Sequence, residues 1–258
     1  MKLNKFTIGL CLGILLIALP FSQFQTSPLN PLETLVVQQG GRKKPLDTVA
    51  QETVAKIHGS TVYKHNDIKE DAMTTFMSLW LNNRNWNEEP FVLFSYRPLK
   101  ERIGLDPDQK YFSFQELMTN SALGEVVREA HRKELEEQDL SRDEREALTL
   151  EGRLTLMLGS VDDNTIAIVP HPSDTKGKWM GIAEEQTLYS DSATAPLMAS
   201  FAVMKQMFLS GPDHLPMLVP VAADLKAGLS ALSPNVYPAE GAMDQEVFFN
   251  HFHPFAKA

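Results

Sequence analysis

The sequence predicts an α+β fold, mainly α-helical with a few short strands, belonging to a membrane-tethered or exported ectodomain. Three observations lead there. Apolar residues recur at helical spacing over several stretches, brief β-branched or aromatic runs separate them, and a charge-free apolar run follows two lysines at the N-terminus.

That first run extends from Phe6 to Leu19 behind Lys2 and Lys5. Residues 1–23 therefore read as a targeting or anchoring segment rather than part of the fold. The run is shorter than the roughly 20 residues that cross a bilayer comfortably, and Pro20, Phe21 and Gln23 fill the zone where a cleavage site needs small residues. An uncleaved anchor and a cleaved signal both stay open, and the positive flank directs the remainder to the outer side of the membrane in either case. The single cysteine, Cys11, lies in the same run, so the exported part offers no disulfide, thiol relay or C-x-x-C-H haem attachment.

Residues 24–32 read as a proline-punctuated linker and 33–258 as the extracytoplasmic domain, with a sub-division near Ser160. A strand is expected over 33–38, closed by Gly40 and Gly41, which accept the positive φ of a tight turn. Pro45 then suits a helix's first turn, with Leu46, Val49, Ala50, Val54 and Ile57 on one face and Gly59 as its stop. A helix over 69–81, an Asn/Trp-rich loop, a strand over 90–94 and a short helix ended by Gly104 follow. Ser113 with Glu116, and Ser141 with Glu144, have the spacing of capping boxes. Between 120 and 158 the pattern is helical and charge-dense, broken near Asp139, which reads as a solvated face. Residues 165–172 form a strand candidate that 179–183 can pair with, and 193–210 and 216–232 are helical, separated by proline-rich joints.

The balance of 24 Lys and Arg against 33 Asp and Glu, a net charge of -9, argues against sequence-independent nucleic-acid binding, which needs many cations on phosphates. There is no G-x-S-x-G, H-E-x-x-H, Walker A or G-x-G-x-x-G motif, so no catalytic constellation is assembled. Of seven histidines, only His251 and His253 are close enough to ligate jointly. On a helix they would point about 200° apart, and they read as exposed residues near a chain end. Asp162 and Asp163 read as a turn, and Trp80, Trp86 and Trp179 as core or rim rather than as stacking platforms. The GRKKPLDT segment is the best candidate site. Arg42, Lys43 and Lys44 stand at a helix entrance, where backbone N–H groups already favour an anion or an acidic partner; the rival reading is a structural corner.

The order of segments resembles a known family. An apolar anchor, then Gly41, Arg42, Lys44, Pro45, Leu46, Asp47 and Thr48 as glycine turn, basic residues and P-L-D-T, then FVLF and KYFSFQEL, are similar to the extracytoplasmic N-terminal region of cytochrome c assembly proteins of the Ccs/Res class (system II, CcsA/ResC-like). Near the other end, Tyr237, Pro238, Glu240, Glu246, Phe249, Asn250, Pro254 and Phe255 match a Y-P-x-E … E-x-x-[YF]-N-x-x-x-P-F stretch. The resemblance implies an accessory ectodomain on the outer, periplasmic face of a bacterial cytoplasmic membrane. It would contribute to haem attachment to apocytochrome c beside a membrane-embedded synthetase module. The family's haem ligands lie beyond the P-F stretch, and this chain ends at Ala258, so none is carried over. The chain is expected to be one piece of a split synthetase or a fragment, with no metal and no tightly bound cofactor, haem being handled by the complex. The alternative is a stand-alone periplasmic protein binding haem or a small molecule in a pocket formed by its tryptophan-bearing segments and the basic helix entrance.

Overall fold

The structure, a computed structural model, describes residues 29–161, 166–182, 188–239 and 241–252. The segment 1–23 with Cys11 lies outside the described residues, as do Asp162, Asp163, Glu240, His253, Pro254 and Phe255. Among those described, the architecture is α+β and mainly helical, its strands forming three separate two-stranded antiparallel hairpins or pairs.

The chain joins the fold earlier than its composition suggests. Leu29 and Leu32 are buried, and Asn30–Glu33 forms a single helical turn, α1. The stretch expected to be a linker over 24–32 is thus structured from Leu29 onward, because two leucines three residues apart give the core an apolar pair to take up.

Strand β1 (Val36–Gln39) then pairs with β2 (Arg42–Pro45). Gly40 and Gly41, at φ +58° and +76°, form the two-residue connection. Positive φ at both central positions is the type I′ geometry whose twist matches flanking strands. The basic triplet is therefore a strand rather than a helix entrance, and successive side chains leave on opposite faces. Helix α2 (Leu46–His58) starts directly after it with Pro45 in the N-cap position. It buries Leu46, Val49, Ala50, Val54 and Ile57, the face its periodicity predicts.

A second hairpin, β3 (Val62–His65) with β4 (Ile68–Asp71), occupies residues whose polar composition gave no strand signal. It delays helix α3 to Ala72–Trp80, where the Asp71 carboxylate caps the Thr74 N–H at 2.7 Å. Strand β5 (Pro90–Leu93) pairs with β6 (Tyr111–Ser113) across helix α4 (Arg97–Arg102). Ser113 caps the short α5 (Phe114–Met118). The charge-dense stretch is a helical hairpin, α6 (Ser121–Leu135) and α7 (Arg142–Ser160), the latter opened by the full Ser141/Glu144 capping box. Among the described residues, the expected pairing of the 165–172 region is present as one antiparallel bridge, Val169 with Met180.

The last third holds α8 (Asp191–Leu209), a 3-10 segment (Pro212–Met217), α9 (Leu218–Leu232) and, where no element was expected, α10 (Ala242–Phe252). Asp213–Leu232, with a mean hydropathy of 1.4, is long and apolar enough to cross a membrane. In this fold α9 turns Leu218, Ala222, Leu225 and Leu229 into the core. Contacts run across the position near 160: Gln38 N–H donates to the Ala167 carbonyl at 2.9 Å. Trp80 also meets Phe201 with ring centroids 5.6 Å apart.

Gly59 ends α2 at φ +78°, and a Cβ there would lie 2.4 Å from Leu93 Cδ2. Left-handed strain costs about 1–2 kcal/mol and overpacking about 1–3 kcal/mol. Gly59→Ala is therefore expected to lower unfolding stability by about 2–5 kcal/mol in urea denaturation, whereas Gly152→Ala, with open space around it, should not destabilise.

Candidate functional site

The residues singled out at the two ends of the sequence meet in space. Asp47 and Thr48, in the first turn of α2, face Glu246, Asn250 and His251 on α10. The Asn250 amide donates to Asp47 Oδ2 at 2.8 Å and to Thr48 Oγ1 at 2.9 Å, and the Thr48 hydroxyl donates to Glu246 Oε1 at 2.8 Å. Gln51 adds a 2.9 Å bond to Asp47 Oδ2. His251 Nε2 lies 3.4 Å from Asp47 Oδ1 and 3.8 Å from Glu33 Oε2. Three elements far apart in the chain, α1, α2 and α10, are thus closed around one acid pair. Together with Asp71 and Met73 they line a pocket of about 340 Å³.

The charges in this pocket are unevenly matched. Glu33 and Asp47 are both buried, at 2% and 3% exposure. Burial pushes the Asp47 carboxyl up, but the hydrogen bonds from His251, Asn250 and Gln51 outweigh it and leave the group below the ordinary carboxylate range. Glu33 has one such donor, Asn30 Nδ2 at 3.2 Å. Its burial prevails, with Asp47 and Asp71 adding repulsion, and its carboxyl is raised. The Asp47 hydrogen bond raises the His251 imidazole, with Glu33 and Asp71 adding attraction. The α2 N-terminus therefore already faces carboxylates of its own chain.

Around this pocket the three basic side chains part company. Arg42 is exposed. Lys43 turns inward, donating to the Val236 carbonyl at 2.5 Å, and its ammonium lies 5.6 Å from the centre of the Trp179 ring. Lys44 pairs with Glu52 at 2.5 Å. They do not converge on a common point. Tyr237 stacks on Trp179 with centroids 5.7 Å apart, and burial pushes its hydroxyl up to about 12. Gln38 completes the seam, its amide donating to the Gly177 carbonyl at 3.0 Å while its Oε1 accepts from the backbone N–H of Trp179 at 2.8 Å. Gly41 shapes the turn that aims this strand, Pro45 hands it to α2, and Pro238 lines a neighbouring groove.

Glu33 was not singled out by sequence reasoning, and His251 was read only as an exposed residue near a chain end. Glu33 sat in a strand candidate and His251 beside a chain end; only the proximity of His251 to the motif residue Asn250 hinted at its placement. Trp80, Trp86 and Trp179 are all buried and none offers a ring face to a ligand. His58 is a core histidine, stacked between Phe91 and Tyr111, its Nδ1 3.0 Å from the Phe91 carbonyl and its imidazole lowered by burial. Among the described residues no group of three His, Cys, Asp or Glu side chains is placed to hold a metal ion. In the acid pocket, His251 is engaged by two carboxylates and Thr48 by Glu246, an arrangement that fastens one helix to another.

No family model matches the chain. It is 23% identical over 231 residues to the protein NrfI of Wolinella succinogenes, a match covering 86% of this chain and 24% of that protein. The chain thus spans about a quarter of the length of the curated protein that it matches.

The linkage of α10 to pH follows from the signs. A raised His251 contributes stability that is fully present below its unfolded value near 6.5 and is lost as pH rises through its folded value. A lowered Asp47 contributes stability present above its unfolded value near 3.9 and lost as pH falls through its folded one. Raising the pH from about 6 to about 9 should weaken the α10 attachment. Comparing urea midpoints of the wild type and His251→Gln across that window checks this: the variant should lose most of the alkaline fall, and equal slopes would exclude His251 as its source.

Proposed function

We propose that this chain is an accessory ectodomain of c-type cytochrome biogenesis, held at the outer face of a bacterial membrane. There it works beside a membrane-embedded synthetase module and presents or positions apocytochrome c. The observation that carries this reading is the seam in which the P-L-D-T residues Asp47 and Thr48 bond to Glu246 and Asn250, about 200 residues later. The two stretches on which the resemblance rests form one structural unit. NrfI, to which the chain is similar, is a cytochrome c biogenesis protein, which supports the process. The apolar stretch Asp213–Leu232 supports a membrane location. The Ccs/Res, CcsA/ResC-like assignment is the finer form of the same proposal.

In this reading the chain carries no catalytic group and binds no haem tightly; haem is handled by the membrane module. Arg42 is the exposed member of the basic triplet and the one suited to meet an acidic partner, whereas Lys43 and Lys44 are engaged within the domain. The stand-alone alternative draws less support from the tryptophans, all three of which are buried.

Two experiments test this. Arg42→Ala should leave the thermal unfolding midpoint unchanged, because the side chain is exposed, while lowering haem-stained c-type cytochrome several-fold in a strain that depends on this chain. Unaltered cytochrome levels would remove Arg42 from the partner surface, and unaltered levels on deleting the whole chain would refute the assembly reading. Titrating the purified protein with haemin should produce no saturable visible-range band. A band abolished by His251→Ala would favour the stand-alone binder instead.

A further inference from the structure

Over its last two turns helix α10 turns mostly polar side chains to the protein: Glu246, Asn250 and the partly exposed His251 meet Thr48 and Asp47, and Val247 is buried among them. Phe248, Phe249 and Phe252 instead remain exposed, at 43%, 60% and 57%. A surface helix of a protein in water normally does the reverse, turning its apolar stripe to the core. The rings form a single patch. Phe248 stacks almost parallel to Phe252 at 5.6 Å between centroids and meets Phe249 edge-on at 5.9 Å. Isolated exposed apolar residues are ordinary, but a contiguous aromatic patch marks an apolar neighbour.

The surface beyond the patch is also poor in charge. A groove of about 620 Å³ joins the start of α10, at Gly241 and Met243, to Ala223, Ala227 and Ala231 on α9. Residues 218–232 hold only Asp224 and Lys226 as charged groups, and they belong to the stretch with membrane-like hydropathy.

We propose that the phenylalanine face of α10 lies in the interfacial layer of a lipid bilayer, with the alanine row of α9 beside it. Phenylalanine is among the residues that interfacial amphipathic helices carry on their apolar face, and such a helix rests with that face at the boundary between head groups and acyl chains. Lipid is the occupant that the surroundings favour, because the patch continues through the start of α10 into the α9 stretch whose hydropathy suits a membrane, and interfacial helices carry Phe and Leu on their apolar face. With a net charge of -9, the attachment is apolar rather than a response to anionic head groups. This inference goes beyond the assembly reading and does not depend on it.

The test uses the full chain reconstituted into phosphatidylcholine vesicles, with and without doxyl-labelled lipid. Fluorescence of a Phe249→Trp variant should be quenched several-fold more than that of the wild type, whose three tryptophans are buried, and the quenching should persist at high salt. Leu135→Trp, at the 87% exposed end of α6, should show no added quenching. Equal quenching at both positions, or none at position 249, overturns the proposal, as does its reversal by salt. A blue shift of the Phe249→Trp emission that follows protein concentration rather than lipid would place a second copy on this face and also overturn it.

Discussion

The position of Asp47 organises the rest of the site. Its carboxylate sits in the first turn of α2, where the orphan N–H groups favour a negative charge, yet it is almost wholly buried and meets donors from Gln51, Asn250 and His251. A buried carboxylate that lost these donors would bear the full desolvation penalty. The need to satisfy it is what brings α10 onto α2, and with α10 comes Glu246 for Thr48. Glu33 adds a second acid that is less well supplied, so the pocket depends on a single imidazole for the charge that balances both.

The basic hairpin acts as the second tie, through a different chemistry. Because β2 is a strand, alternate side chains of the triplet diverge, and only Lys43 crosses inward to the Val236 carbonyl and the Trp179 ring. Its neighbours bind β1 to the 177–180 segment through Gln38. The 236–239 region is thus fixed from one side by a cation and an aromatic stack, and α10 from the other by the acid pocket. These two fastenings hold the groove between α9 and α10 open with a defined lining.

Much of the helical framework was legible because its signals are local. The apolar face of α2, the break at Asp139 with its Ser141/Glu144 restart, and the α8 and α9 stretches follow from periodicity and caps that need no tertiary information. The strands were harder to read. Arg42–Pro45 and Ile68–Asp71 are polar segments that become strands only because a partner is supplied across a tight turn; context overrides composition there. The site was legible only in part. Asp47, Thr48 and Asn250 were visible as motif members, but Glu33 and His251 derive their role from contacts spanning more than 200 residues, and a helix with polar residues inward has the wrong pattern for a sequence reading to find α10.

The separation between Asp47 and His251 also sets an order of events. A chain is made from its N-terminus, so α2 and its buried acids arrive long before the residues that neutralise them. Until about 200 further residues have followed, the Asp47 carboxylate has only Gln51 among its side-chain donors, and closing so large a loop is entropically slow. The acid pocket thereby couples the two ends of the fold: it closes only once the chain through His251 has folded back onto α2, and without α10 Glu33 and Asp47 lack the imidazole that lies beside both.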